Sequence, residues 1–144
     1  MTMLAKLAIT TAVSAQTTPV LQIRPGPGGQ RSPDTAILYA NLTYGSGGTT
    51  IDAWVQTSVD GGSTWIDVAN FHFTTSSAKF LFTLNSATSV TTEYTPTDGT
   101  LTANTAKDGI IGSQWRVNYT TVGTYAGNTT LQIDAAIDGL TSLP

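Results

Sequence analysis

Two stretches late in the chain leave little choice of local structure. Trp115, Val117 and Tyr119 alternate with Gln114, Arg116 and Asn118, and Leu131, Ile133, Ala135 and Ile137 alternate with Gln132, Asp134 and Asp138. Apolar residues at every second position share one side of a strand, whereas a helix of 3.6 residues per turn would scatter them. One-sided strands of this kind build antiparallel sheets that pack on one face and meet water on the other.

The same reading extends upstream. Residues 35–44, 51–59 and 65–73 are rich in apolar and aromatic side chains, and 79–85 places Phe80, Phe82 and Leu84 on one face. Gly45-Ser46-Gly47-Gly48 and Asp60-Gly61-Gly62-Ser63 separate them as turns. A weaker strand is expected at 90–94, and 95–113 reads as a long connection holding one short strand. The 28 threonines favour the same outcome, because β-branched side chains suit a pleated surface. Seven or eight such strands predict an all-β fold, an antiparallel β-sandwich of jelly-roll or immunoglobulin-like type.

Ahead of this body lies a segment of different character. Arg24-Pro25-Gly26-Pro27-Gly28-Gly29-Gln30-Arg31-Ser32-Pro33 can sustain neither a helix nor a central strand. It divides the chain into an N-terminal arm with its linker, 1–34, and a sandwich domain, 35–144. Leu4, Leu7, Ala8, Thr11 and Ala12 fit a weak helical stripe, and 20–23 looks like a short strand. Leu4, Leu7, Ile9, Val13, Val20, Leu21 and Ile23 are the arm's candidate assembly contacts. Lys6, the apolar run 7–13 and Val13-Ser14-Ala15 have the order of a secretion signal. Thr10 and Thr11 interrupt the run, so the arm is expected to stay uncleaved.

Charged residues are only 10% of the chain, and the formal net charge is −3. The six Lys and Arg form no cluster, which argues against nucleic-acid binding through phosphates. No apolar stretch is long enough for a membrane helix. The chain has no cysteine and one histidine, His72, so thiolate and His-rich metal sites cannot be assembled. Glu93 is the only glutamate. Asp60, Asp98, Asp108 and Asp138 each precede glycine and read as turn residues, while Asp52, Asp67 and Asp134 read as strand surface. No catalytic set, cofactor or metal site emerges, and an enzyme is not expected. A small hydrolase using Glu93 or His72 ranks last.

One local motif is sharp. Ser58-Val59-Asp60-Gly61-Gly62-Ser63-Thr64-Trp65 resembles an Asp-box, carried by Ser58, Asp60, Gly62, Thr64 and Trp65. In that motif an aspartate caps a hairpin turn, glycines supply positive φ and a tryptophan packs beneath. Sialidase propellers repeat the box from blade to blade. One copy in 144 residues excludes such a propeller and leaves a structural turn, with a metal or sugar site at Asp60 as the alternative. Asn41, Asn118 and Asn128 begin Asn-x-Thr sequons, and Trp54, Trp65 and Trp115 are candidates for an aromatic sugar platform.

Taken with the Thr- and Gly-rich, cysteine-free composition, residues 56–67, 115–124 and 131–137 make the body similar to the small β-sandwich virion proteins of tailed bacteriophages. The resemblance implies capsid decoration or cement, with a tail or neck role as an alternative. It implies the major capsid protein or other virion proteins as partners, beside other copies of the chain in a homo-oligomer such as a trimer. The expected location is the capsid surface, with the arm reaching a neighbouring subunit. A secreted carbohydrate-binding or adhesin-like module is the competing expectation, and it requires cleavage after Ala15.

Overall fold

The structure, a computed structural model, describes residues 1–23 and 34–142. The Pro/Gly linker expected at 24–33 lies outside the described residues. Among the described residues all regular structure is β: β1 (Thr2–Ala8), β2 (Val13–Thr17), β3 (Leu21–Ile23), β4 (Thr35–Thr43), β5 (Ser46–Gly47), β6 (Thr50–Ser58), β7 (Ile66–Phe73), β8 (Ala78–Asn85), β9 (Gln114–Val122), β10 (Tyr125–Ala126), β11 (Thr130–Ala136) and β12 (Leu140–Ser142). Two antiparallel sheets pack as a sandwich. One has the order β1-β11-β4-β8. The other runs β12-β3-β9-β6-β7, with β2 also paired to β9. Among the described residues only β6 and β7 are joined as a simple hairpin within a sheet. From β4 onward the other links between main strands cross from one sheet to the other.

The alternations expected from the sequence form the two inner faces. Trp115 and Val117 on β9, Ile51, Ala53 and Val55 on β6, and Phe71 and Phe73 on β7 are buried against Leu38, Ala40 and Leu42 on β4 and Leu131, Ile133 and Ala135 on β11. Phe71 meets Phe82, and Phe73 meets Phe80, at ring-centroid separations of 5.1 and 5.2 Å. These pairs lock the β7 side of one sheet to β8 of the other, in the tilted geometry that aromatic quadrupoles favour.

The N-terminal segment is extended, but it is not an arm apart from the body. β1 pairs with β11 through a bulge between Met3 and Ala5. Residues 13–23 run antiparallel along β9 as β2 and β3, broken near Pro19. Leu4, Ile9 and Leu21 are core residues, with Leu7 and Ile23 packed against them and Val13 and Val20 half-buried. The helical stripe is thereby replaced by a strand. A 3.6-residue pattern in so short a segment is weak, and the open ladder of β11 offers backbone partners that an isolated helix lacks.

Two further expectations change. Residues 90–94 are irregular, and the one piece of pairing in 95–113 is an isolated bridge between Ala106 and Ala69. The outer face of the β9-β6-β7 sheet is not open to water either, because the connection between β8 and β9 folds across part of it.

Candidate functional site: the β6–β7 hairpin and the polar face beside it

The hairpin between β6 and β7 has the geometry its sequence implies. The Ser58 hydroxyl donates to Asp60 Oδ1 at 2.9 Å and accepts from the Gly62 N–H at 2.9 Å. Asp60 Oδ1 also accepts the Thr64 N–H at 2.8 Å. Gly61 and Gly62 hold φ of 75° and 94°, left-handed values that strain other residues. The Thr64 and Ser58 donors hold the Asp60 carboxyl below the ordinary aspartate value. Trp65 packs at the base of the turn, and the Arg116 guanidinium lies 4.2 Å above its ring, a cation–π contact.

Arg116 leads from the hairpin into a buried polar network. On β7 the inward positions 73, 71 and 69 would make residue 67 inward as well. The ladder instead shifts between Val55 and Gln56, so Val55 faces Ala69 while Gln56 faces Asp67. Val68 is the extra residue. This bulge turns Asp67 away from the apolar core and onto the outer face. There its carboxylate accepts hydrogen bonds from Gln56 Nε2 at 2.8 Å and Thr97 Oγ1 at 3.0 Å. The backbone N–H groups of Gly99, Thr100 and Leu101 donate to it at 2.9, 2.9 and 3.1 Å. Three successive N–H groups converging on one carboxylate form a fixed anion cradle filled by the protein's own side chain.

Neighbouring groups extend the network. Gln56 Nε2 donates to Asp98 Oδ1 at 2.6 Å, and Gln56 Oε1 accepts from Arg116 Nε at 2.8 Å. Burial pulls the Arg116 pKa below its ordinary value, while Asp98 and Asp67 oppose that shift. Asn118 Nδ2 donates to Asp98 Oδ1 at 3.2 Å. Farther along, Trp54 Nε1 and Asn70 Nδ2 both donate to the Leu101 carbonyl, at 3.0 and 3.3 Å. Backbone bonds from Asp67 to Thr97, Asn70 to Thr105 and Lys107 to Val68 close the free edge of β7.

Asp67 was expected on the strand surface and is fully buried. Its role has a trace in the sequence. Apolar positions on β7 run even at Ile66 and Val68, then odd at Ala69, Phe71 and Phe73, and that change of phase marks the bulge. Asp98, expected only as a turn residue, also joins Gln56, Arg116 and Asn118.

The three tryptophans do not form one platform. Trp115 is fully buried on the inner face, and its Nε1 donates to the Gly112 carbonyl. Trp54 lies under the Leu101 segment and Trp65 under Arg116. His72 Nδ1 lies 2.8 Å from Asp52 Oδ1 on the outer face, and Glu93 lines a separate groove with Val59, Ile66, Val90 and Tyr94. Among the described residues no three His, Asp or Glu side chains converge to hold a metal. Of the sequon asparagines, Asn128 is exposed, Asn41 half-buried and Asn118 buried. No helix among the described residues is long and apolar enough to cross a membrane.

Comparison with protein-family models, curated proteins and solved structures returned no match to this chain.

Proposed function

We propose that this protein is a bacteriophage virion structural protein, an auxiliary decoration or cement protein that stabilises the capsid shell through contacts with the major capsid protein and with its own copies. The observation that carries this reading is the outer face of the β1-β11-β4-β8 sheet. Register places Met3, Asp134, Tyr39 and Leu81 in one cross-strand row, with Ala136, Ile37 and Thr83 in the next. Met3, Ile37 and Leu81 are 51%, 38% and 57% exposed. A pleated surface carrying apolar side chains among hydroxyls and few charges is suited to another protein surface, because little ionic hydration is lost on contact.

The N-terminal residues also bear on the alternatives. Cleavage after Ala15 would remove β1 with the core residues Leu4 and Ile9, which disfavours a secreted module processed at that site. The shell contact is accordingly assigned to the sheet face and not to a free arm.

Co-sedimentation with purified particles tests the proposal. The wild-type chain should travel with the shell in hundreds of copies, and Ile37→Glu with Tyr39→Glu should remove it while the variant stays folded by circular dichroism. A dozen copies or fewer would move the protein to the neck or tail. Absence from particles would overturn the virion reading.

A further inference from the structure

The sheet edges of this molecule are not equally protected. β7 is covered by residues 97–107, β1 carries a bulge and Lys6, and β12 has three residues. Bulges, lysines, short strands and covering loops are the usual means of stopping unwanted strand pairing. β8 has none of these except Lys79. It keeps unbroken register with β4 over eight residue pairs, and among the described residues it pairs with no other strand. Its sequence, AKFLFTLN, holds one charge and no proline, and Phe80 and Leu81 are 38% and 57% exposed.

The hydrogen-bond phase shows which groups point outward. The Ser86 N–H bonds the Asp34 carbonyl. By antiparallel alternation the even residues 84, 82, 80 and 78 then bond β4, and Lys79, Leu81, Thr83 and Asn85 turn their N–H and C=O away from it. Asn85 fits this phase, since its N–H is capped by Asp108 Oδ1. Among the described residues the groups of 79, 81 and 83 are left presented at the edge.

We infer that β8 pairs edge to edge with β8 of a second copy, antiparallel about a two-fold axis through Leu81. In this register Leu81 faces Leu81, and each Lys79 faces Thr83 of the other copy. All three outward residues then lie in hydrogen-bonded pairs, and the Asp108 cap marks where pairing stops. Phe80 falls opposite Phe82 of the second copy at the closer, non-hydrogen-bonded positions, where aromatic pairs stabilise a sheet most. The charges match as well: each Lys79 is carried toward the Asn85 end of the other strand, beside its Asp108. The two four-stranded sheets become one continuous sheet of eight. The contact is isologous and therefore closed, so pairing at this edge ends at two copies.

This contact deepens the homo-oligomer part of the proposal above and rests on that part alone, since it needs no particle. The experiment uses the full chain in solution. Sedimentation velocity across a concentration series should show a reversible monomer–dimer equilibrium. Leu81→Pro removes only an outward N–H, and Leu81→Lys sets like charges face to face. Each should weaken the dimer by about tenfold or more while circular dichroism stays unchanged. The chain has no cysteine, so Leu81→Cys gives a clean crosslink. Directly opposed hydrogen-bonded residues lie about 5.5 Å apart, within disulfide reach. Leu81→Cys should form a covalent dimer on oxidation and Lys79→Cys should not. A monomer at every concentration, a dimer indifferent to both Leu81 substitutions, or crosslinking through position 79 in preference to 81 would each overturn the inference. Loss of particle binding with an intact dimer would sink the shell reading alone.

Discussion

The Asp67 carboxylate receives hydrogen bonds from Gln56, Thr97, Gly99, Thr100 and Leu101 in a fully buried position. Removing it takes an acceptor from five donors, of which Gln56 Nε2 keeps Asp98, and buried donors without partners are costly. Asp67→Ala should therefore destabilise the protein by about 3 kcal/mol or more in urea unfolding, with faster hydrogen exchange at Gly99, Thr100 and Leu101. A near-neutral result would mean the loop is held by its backbone bonds to β7 alone. Gly112 is constrained by close approach: a Cβ there would lie 2.3 Å from the Ser58 carbonyl oxygen and 2.5 Å from Thr57 Oγ1. Gly112→Ala should cost about 2–3 kcal/mol by the same measurement. Two exposed aspartates contribute to the acid response. Backbone N–H donors, Thr64 at Asp60 and Asn85 at Asp108, hold both carboxyls below the ordinary aspartate value. Between the folded and unfolded pKa values the unfolded chain binds more protons, so stability rises with pH there. That contribution is complete above the ordinary aspartate range and is lost as pH falls through the depressed folded values. Asp60→Asn with Asp108→Asn should flatten the acid limb of melting temperature against pH, and an unchanged limb would assign acid sensitivity to other carboxyls.

Among the elements, β1 departs most from its sequence reading. As an arm, 1–23 would be dispensable to the body. As strands, it supplies an edge to β11, a second neighbour to β9 and the core residues Leu4, Ile9 and Leu21. Burying one large aliphatic side chain contributes about 1.5–3 kcal/mol, and a domain's whole margin is about 5–15 kcal/mol. A chain starting at residue 24 should therefore be largely unfolded by circular dichroism, and a cooperative folded truncation would return the segment to the status of an arm. β7 shows the opposite case, since its apolar residues form the strand that their pattern predicts. The phase change at Val68 and Ala69, which sends Asp67 outward instead of into the core, becomes meaningful only with β6 alongside to define the register.

Over the whole molecule, the main pairings join distant parts of the chain: β1 lies beside β11, and β2 and β3 lie beside β9. Closing such long loops precedes most of the favourable contacts, so refolding should take milliseconds to seconds. Stopped-flow tryptophan fluorescence would follow it through Trp115, which is fully buried. Microsecond refolding would contradict this order of events. The sandwich also divides its faces by task. The outer side of β9-β6-β7 carries a polar network closed by its own loop, while among the described residues nothing covers the outer side of β1-β11-β4-β8, which continues into the edge of β8.

Local chemistry alone settled the parts of this protein that need few partners. Period-two alternation at 114–119 and 131–138 specifies strands, because side-chain direction along a strand depends on the backbone of that strand only. The 58–65 turn is equally local: Ser58 and Asp60 bond groups within four residues. Three-dimensional packing settled the rest. Residues 2–8 are a strand because β11 presents an unfilled ladder more than a hundred residues away. Asp67 is an anchor because 97–101 returns to it across thirty residues. Such outcomes depend on which backbone groups and side chains meet in space, and sequence spacing does not encode those meetings.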